Sequence, residues 1–220
     1  PQRVRTIDPP FKGNNTIILE DERVREATLI RTYKVPSARS NPANSIAMQV
    51  LQELLDGSNA SYLPKRMIQD KKLASMLDVG YEGDAYDAGQ FSISIVPKPN
   101  MPHEQVLTEL ENALTEYAKQ LPNDTEMTAA RRSLQRQAIL ARDSVMGPAQ
   151  IIGVALATGQ TLNDIETWPE QIGAVTPQQV QAALKGILES ASVTGVLKPK
   201  KGLDTTKVPS VPPKMGGVIQ

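Results

Sequence analysis

The chain contains no cysteine and one histidine, His103. The first absence excludes disulfides, thiolate nucleophiles, iron–sulfur clusters and Cys-based zinc sites. The second excludes any intrachain site that needs two imidazoles, the zinc helix H-E-x-x-H included. At most one Ser-His-Asp triad remains open, built on His103. An excess of either charge is also missing, since 24 Lys+Arg balance 24 Asp+Glu. No basic surplus is available to engage phosphates, and no nucleic-acid partner is expected. Aromatics make up 4% of the 220 residues. The core must therefore be aliphatic, for which a hydrophobic content of 40% suffices. No apolar run approaches the ~20 residues of a membrane-spanning helix, so no membrane span is expected. Freedom from cysteine suits either side of a membrane. Pro1 stands where an initiator methionine would, with no signal-peptide pattern after it, and we expect a piece of a longer polypeptide.

Residues 1–15 are polar and carry Pro9-Pro10 and Gly13-Asn14-Asn15, which predicts an arm or linker. Residues 16–199 read as a single domain. Residues 200–220 hold Lys200, Lys201, Pro209, Pro212 and Pro213 without periodicity and read as an irregular tail. Within the domain, Thr16 to Glu20 and Ala27 to Val35 predict strands. In the second, Thr28, Ile30, Thr32 and Lys34 alternate with Leu29, Arg31, Tyr33 and Val35, and neither set is cleanly apolar. Ser40-Asn41-Pro42 is a helix start. Ile46, Val50, Leu51, Leu54 and Leu55 follow at helical spacing, and Gly57 ends the helix. A shorter helix is predicted over Ser61 to Lys72. Leu73 to Gly80 and Gln90 to Val96 predict an antiparallel pair, Phe91, Ile93 and Ile95 alternating with Ser92 and Ser94. Helices then start after Pro102, at an Asp124 or Thr125 cap, over Ile151 to Thr158 with Gly159 closing, over Leu162 to Glu166, and at Thr176-Pro177. Gly147-Pro148 separates the second of these from the third. Ser192 to Lys198 is the last strand, with Val193, Gly195 and Leu197 on one face. Strand pairs and clustered helices argue an α+β fold: a mostly antiparallel sheet with helices packed on one face.

The chemistry-bearing residues are sparse. His103 precedes Glu104 at a helix start and has no advertised catalytic partner. Glu20, Asp21 and Glu22 lack the spacing of a calcium loop and read as a solvated turn. Neither Gly57-Ser58-Asn59 nor Gly147-Pro148 is a phosphate loop. Arg131, Arg132 and Arg136 crowd one helix among acidic neighbours, with a carboxylate clamp as the minority reading. Trp168 reads as core or interface, and Lys198, Lys200 and Lys201 as a weak basic patch. No active-site constellation emerges: we assign no catalytic, cofactor-binding or metal residues, and expect no catalytic centre in this chain.

One set of motifs goes further. Leu51-Gln52-Glu53-Leu54-Leu55-Asp56-Gly57-Ser58, Ser61-Tyr62-Leu63 and Lys71-Lys72-Leu73-Ala74 resemble the second, C-terminal and metal-free, domain of pitrilysin/insulinase-type zinc peptidases, mitochondrial processing peptidases among them. Tyr33-Lys34-Val35-Pro36, Gly89-Gln90-Phe91-Ser92-Ile93, Ile172 to Val180 and Thr194 to Pro199 resemble further family motifs in the same order. The resemblance runs from about Ile17 to Pro199. It implies a metallohydrolase-like fold, of the kind shared by processing peptidases and LuxS.

In that family a peptidase half joins two similar domains. The first carries H-x-x-E-H and a downstream Glu, and two halves enclose a peptide chamber. Many members present an Arg and a Tyr seven residues apart that stabilise the tetrahedral intermediate from the partner half. Here Ile68 and Ser75 occupy those positions and supply neither group. The resemblance thus implies a non-catalytic domain of a zinc metalloendopeptidase subunit that walls the chamber and supports peptide binding and assembly. It implies zinc in the upstream domain of the same polypeptide, none in this chain, and a second half, in a heterodimer, supplying Arg and Tyr. Extended peptide is the implied substrate, accepted by strand addition at Leu73 to Gly80 or Gln90 to Val96. A periplasmic location is implied, with a cytoplasmic one as the alternative. Two other readings stand beside it: a structural or assembly domain of a non-peptidase member, as in respiratory-complex cores, and an independent hydrolase using His103.

Overall fold

A computed structural model of the chain describes Pro9 and residues 11–142 and 146–200. Most of the expected N-terminal arm, the tail from Lys201 onward and residues 143–145 lie outside the described residues. The strands are β1 (Asn15–Asp21), β2 (Thr28–Pro36), β3 (Ala74–Glu82), β4 (Ala88–Pro97) and β5 (Ser192–Pro199). They form one sheet in the order β1-β5-β2-β4-β3. β1 runs parallel to β5, and every other neighbouring pair is antiparallel. The helices are α1 (Pro42–Asp56), α2 (His103–Ala118), α3 (Asp124–Arg142), α4 (Gly147–Thr158), α5 (Leu162–Glu166), α6 (Trp168–Ala174) and α7 (Pro177–Glu189). The fold is α+β, as expected, with a mostly antiparallel sheet and the apolar core between one sheet face and the helices.

Strand alternation decides what enters that core. Phe91, Ile93 and Ile95 of β4 are buried, with the intervening serines half-buried. On β2, where the pattern was ambiguous, Leu29, Arg31, Tyr33 and Val35 face inward. Arg31 is tolerated there because its Nε donates to Thr194 Oγ1 at 3.0 Å and its guanidinium meets Glu111 at 2.7 Å. A buried guanidinium without such partners would be strongly destabilising. The same pairing sets the face of β5. Ser192, Thr194 and Val196 are its buried set, and Val193, Gly195 and Leu197 share the opposite face, on which Leu197 is exposed.

The helix ends follow from local chemistry. Asn41 Oδ1 accepts from the Asn44 amide at 3.1 Å ahead of Pro42, which opens α1. α3 is capped one residue earlier than expected. Asn123 Oδ1 accepts from the Glu126 amide at 3.0 Å, and the Glu126 carboxylate accepts from the Asn123 amide at 2.9 Å. This reciprocal box uses both side chains, which Asp124 or Thr125 could not do. Thr176 and Gln179 make the same box at α7. Gly159 closes α4 in the left-handed region at φ +91°. The predicted helix from Ser61 to Lys72 is instead π-helical over Pro64–Asp70. The Lys71 amide donates to the Arg66 carbonyl five residues back, and the wider turn carries Pro64 and Met67 into the core. α6 was not anticipated, because a seven-residue helix with one buried residue, Ile172, leaves no period to read.

The sheet edges differ. β4 lies between β2 and β3, so Gln90 to Val96 cannot accept another strand, contrary to one of the two expected positions. β3 is an edge, but α1 reaches over it. Asp56 Oδ2 accepts from the Val79 amide at 2.9 Å, and Gln52 Oε1 from the Tyr81 amide at 3.2 Å. Those two outward donors are thereby taken from any incoming strand. β1 is the other edge, with Ile17, Ile18 and Leu19 exposed.

Holding Asp56 against β3 has an electrostatic consequence. Burial lifts its carboxyl to about 6; the Val79 amide opposes the lift, and the charges of Asp78 and Glu53 add to it. A carboxyl raised in the folded state favours folding when protonated, so this contribution is lost as pH rises from about 4 to about 6. Asp56→Asn keeps an acceptor for Val79 and removes the buried charge. The variant is expected to exceed the native chain in stability at pH 7 by about 1 kcal/mol, a figure discounted for the half-exposed position. The two should converge near pH 4. Urea titrations at both pH values check this, and a less stable variant at pH 7 contradicts it. A second expectation concerns Gly89, where an added Cβ would lie 2.7 Å from the Glu82 carbonyl oxygen and 3.1 Å from that of Pro36. Both neighbours are backbone, so Gly89→Ala is expected to cost about 1–3 kcal/mol, read as a lower denaturation midpoint.

Candidate functional site

The residues weighed from sequence disperse over the fold. His103 begins α2, with Nε2 3.0 Å from Glu104 Oε1. Glu20 pairs with Lys198 at 3.2 Å, Asp21 with Arg23 at 2.8 Å and Glu22 with Lys200 at 3.0 Å. The acidic run is therefore a row of solvated ion pairs, and the lysines at the end of β5 are its counter-charges. Arg131 donates to the Val175 carbonyl while Arg132 and Arg136 are exposed, so the three form no clamp. Gly57 is the C-cap of α1, at an ordinary right-handed φ of −65°. Gly147-Pro148 forms the first turn of α4, and Lys201 lies outside the described residues. Ile68 is half-buried against the core, and Ser75 Oγ donates to the Val96 carbonyl at 3.2 Å beside a bulge in β3. Neither position holds a guanidinium or a phenol.

A zinc ion does not fit these residues. Among the described residues no three His, Cys, Asp or Glu side chains come together in a metal-binding group. Among them, too, no helix is long and apolar enough to cross a membrane.

What the fold does assemble is a cleft of about 480 Å³ along one side of α1. Ser45, Gln49 and Glu53 lie at i, i+4 and i+8 and share one helix face, which is the near wall. Leu134, Gln137 and Ala138 of α3 form the far wall, and Ile151 and Ala155 of α4 extend it. Trp168 of α6 closes one side and donates from its indole to Gln49 Oε1 at 2.8 Å. Tyr81, at the end of β3, and Asp84, in the following loop, close the other. Sequence reasoning flagged Trp168 as core or interface and missed the rest. The spacing of Ser45, Gln49 and Glu53 beside the apolar stripe was the available signal.

Carboxylates and amides dominate the polar lining. Glu53 accepts from Gln137 Nε2 at 3.2 Å, and Asp84 from Gln160 Nε2 at 2.8 Å. Asp164 is held below its usual carboxylate range by the Thr161 hydroxyl and amide in the cap of α5. The Ser45 hydroxyl is buried and makes no hydrogen bond of good geometry. The neighbouring Tyr81 hydroxyl gives its proton to the Pro36 carbonyl at 2.8 Å. Burial raises the Tyr81 phenol above its ordinary value; Ser45 beside it works the other way, and the Asp84 charge adds to the rise. This lining offers carboxylate acceptors, amides that both donate and accept, and apolar surface. Among the described residues it contains no nucleophile–base pair and no imidazole.

Known proteins can be set against this geometry. No curated protein sequence matches the chain. Among solved structures, the chain superposes on a protease from Helicobacter pylori with a TM-score of 0.80 at 19% identity, covering 90% of this chain and 48% of that one. It superposes on a peptidase M16 inactive domain from Pseudomonas fluorescens with a TM-score of 0.71 at 18% identity, covering 90% and 46%. The periplasmic protease PqqL from Escherichia coli gives 0.64 at 16% identity, with 86% and 21% covered. At these identities the likeness is one of fold, and the chain spans about half of the first two proteins and a fifth of the third. A sequence match is more specific: the family model described as "Peptidase M16 inactive domain" matches residues 1–134. That match covers more than half of the chain and agrees with the fold. The chain belongs to the peptidase M16 inactive-domain family.

Proposed function

We propose that this chain is the non-catalytic domain of a zinc metallopeptidase subunit, where it walls a peptide chamber, contacts peptide and supports assembly. The observation that carries the reading is the match to the inactive peptidase domain in a chain about half as long as two of its structural relatives. Zinc then belongs to an upstream domain of the same polypeptide, and a second half supplies the Arg and Tyr that Ile68 and Ser75 replace here. Two surfaces suit the wall role. The sheet face turned away from the core carries Ile30 and Leu197 exposed, and the α1 cleft offers acceptors and apolar contacts. Strand addition has β1 as its more open edge, since Gln52 and Asp56 occupy the outward amides of Tyr81 and Val79. The periplasmic location of PqqL supports the same compartment for this chain.

Metal analysis of the 220-residue chain is expected to find no stoichiometric zinc. The full-length polypeptide is expected to bind zinc through an upstream H-x-x-E-H. Deleting this domain should abolish peptide cleavage while leaving zinc bound. A full-length protein without that motif, with no proteolysis to lose, would instead establish the assembly-domain reading.

A further inference from the structure

Among the five described strands, β1 alone has no buried residue. Ile17 is 63% exposed, Ile18 50% and Leu19 59%. The register with β5 divides these three between two faces. Ile18 pairs with Val196 and lies on the helix side of the sheet, while Ile17 and Leu19 pair with Gly195 and Leu197 and lie on the outward side. The helix layer therefore stops short of β1, which is apolar on both faces and covered on neither. On the outward side the apolar surface continues across the sheet, since Gly195 pairs in turn with Ile30, and both Ile30 and Leu197 are exposed. A single exposed aliphatic residue is ordinary; three in succession on an edge strand are not.

The backbone of that edge is open as well. β1 has β5 as its one neighbour in the sheet, and no other described residue bonds the backbone of residues 16–19. Edge strands are commonly guarded by bulges, prolines, charges or a covering element. β3, the opposite edge, has such guards. Its register shifts between Ala74 and Met76, and Asp56 and Gln52 hold the outward amides of Val79 and Tyr81. β1 has neither proline nor a basic residue between Asn15 and Asp21, and its register with β5 is unbroken. Its charges sit at one end only, where Glu20 meets Lys198 and Asp21 meets Arg23.

We propose that β1 pairs antiparallel with β1 of a second copy of this chain, about a two-fold axis at Ile18. The strand itself selects this occupant. In a joined sheet the outward face of one copy continues the outward face of the other, so outward residues must meet outward residues. Centring on Ile18 sets Ile18 against its own copy, Ile17 against Leu19 of the second copy, and Thr16 against Glu20 of the second copy. Apolar residues then meet apolar residues on both faces. Charge fixes the direction: a parallel pairing would set Glu20 and Asp21 beside their own copies, whereas the antiparallel one separates them to opposite ends of the joint. Outward rows become continuous, with Ile30, Gly195 and Ile17 running into Leu19 and Leu197 of the second copy. The contact closes on itself, because each copy has one such edge. An edge of seven residues is smaller than a standard interface of about 800 Å² a side, so a weak dimer with a Kd of about 10–100 μM is expected. This pairing goes beyond the function proposed above and does not rest on it; an extended peptide is the competing occupant.

The chain has no cysteine, so one substitution supplies its sole thiol. Under mild oxidation above the dimer Kd, Ile18→Cys is expected to form a disulfide-linked dimer, since directly opposed strand residues lie within bridging distance. Ile30→Cys, on the outward face but two strands in from the edge, is expected to give about tenfold less. Ile17→Cys mixed with Leu19→Cys should give the mixed dimer in preference to either self-linked one. In sedimentation the native chain should dimerise with rising concentration. Ile18→Lys, which places a guarding charge on the edge, should stay monomeric at the same concentrations, with circular dichroism showing that it is folded. The full-length polypeptide should respond to Ile18→Lys in the same way. Monomer throughout, a dimer that survives Ile18→Lys, equal cross-linking at Ile18 and Ile30, or a dimer of the 220-residue chain that the full-length polypeptide does not form overturns the pairing. A leucine-rich extended peptide that binds the monomer and is lost with Ile18→Lys assigns the edge to peptide and overturns it too.

Discussion

Helix α1 is the constraint on which the rest of the structure depends. Its 3.6-residue period divides one sequence among three surfaces. Met48, Leu51 and Leu55 enter the core. Gln52 and Asp56, four residues apart, bond outward amides of β3. Ser45, Gln49 and Glu53 line the cleft. The three sets cannot be moved independently, because a register change on one face displaces the other two. Anchoring β3 has put Asp56 where its carboxyl is pushed up to about 6, a strain accepted so that one sheet edge is closed. A second buried polar anchor, Arg31, couples β2 to β5 and α2 through Thr194 and Glu111.

Much of the fold was legible because its signals are local. Proline and asparagine at Asn41-Pro42, the alternation of Phe91, Ile93 and Ile95, and the Thr176-Pro177 start of α7 each act within a few residues. Where sequence failed, a distant partner decided. The burial of Arg31 on the inward face of β2 rests on Thr194 of β5, 163 positions away along the chain. The position of β4 inside the sheet depends on pairing order, which alternation does not encode. The π-helical Pro64–Asp70 segment shares the residue types of an ordinary helix. The cleft was hidden for the same reason: α1, α3, α6 and the loop after β3 contribute to it, and none of them carries a motif.

A non-catalytic domain keeps its fold while the demands on its residues change. Among the described residues no group of side chains fits a metal ion. Shape and surface chemistry become the functional content. Among the described residues that content is a sheet face with Ile30 and Leu197 exposed, an edge at β3 whose outward amides are taken, a second edge at β1, and a cleft of carboxylates and amides with apolar flanks. In the proposed function each is a means of holding a chain that another domain cuts. The exposed apolar residues of α4, among them Ile152, Val154 and Leu156, lie next to the cleft and widen the surface on that side.

The central claim is that this domain takes part in holding peptide through the α1 side of the fold. Hydrogen–deuterium exchange on the full-length protein, with and without a peptide trapped by a cleavage-blocking substitution in the upstream zinc motif, tests it most directly. The account predicts slowed exchange in α1, α3 and α6, with β3 unchanged because its outward amides at Val79 and Tyr81 are already bonded. Unchanged exchange throughout this domain while the upstream domain is protected would contradict it.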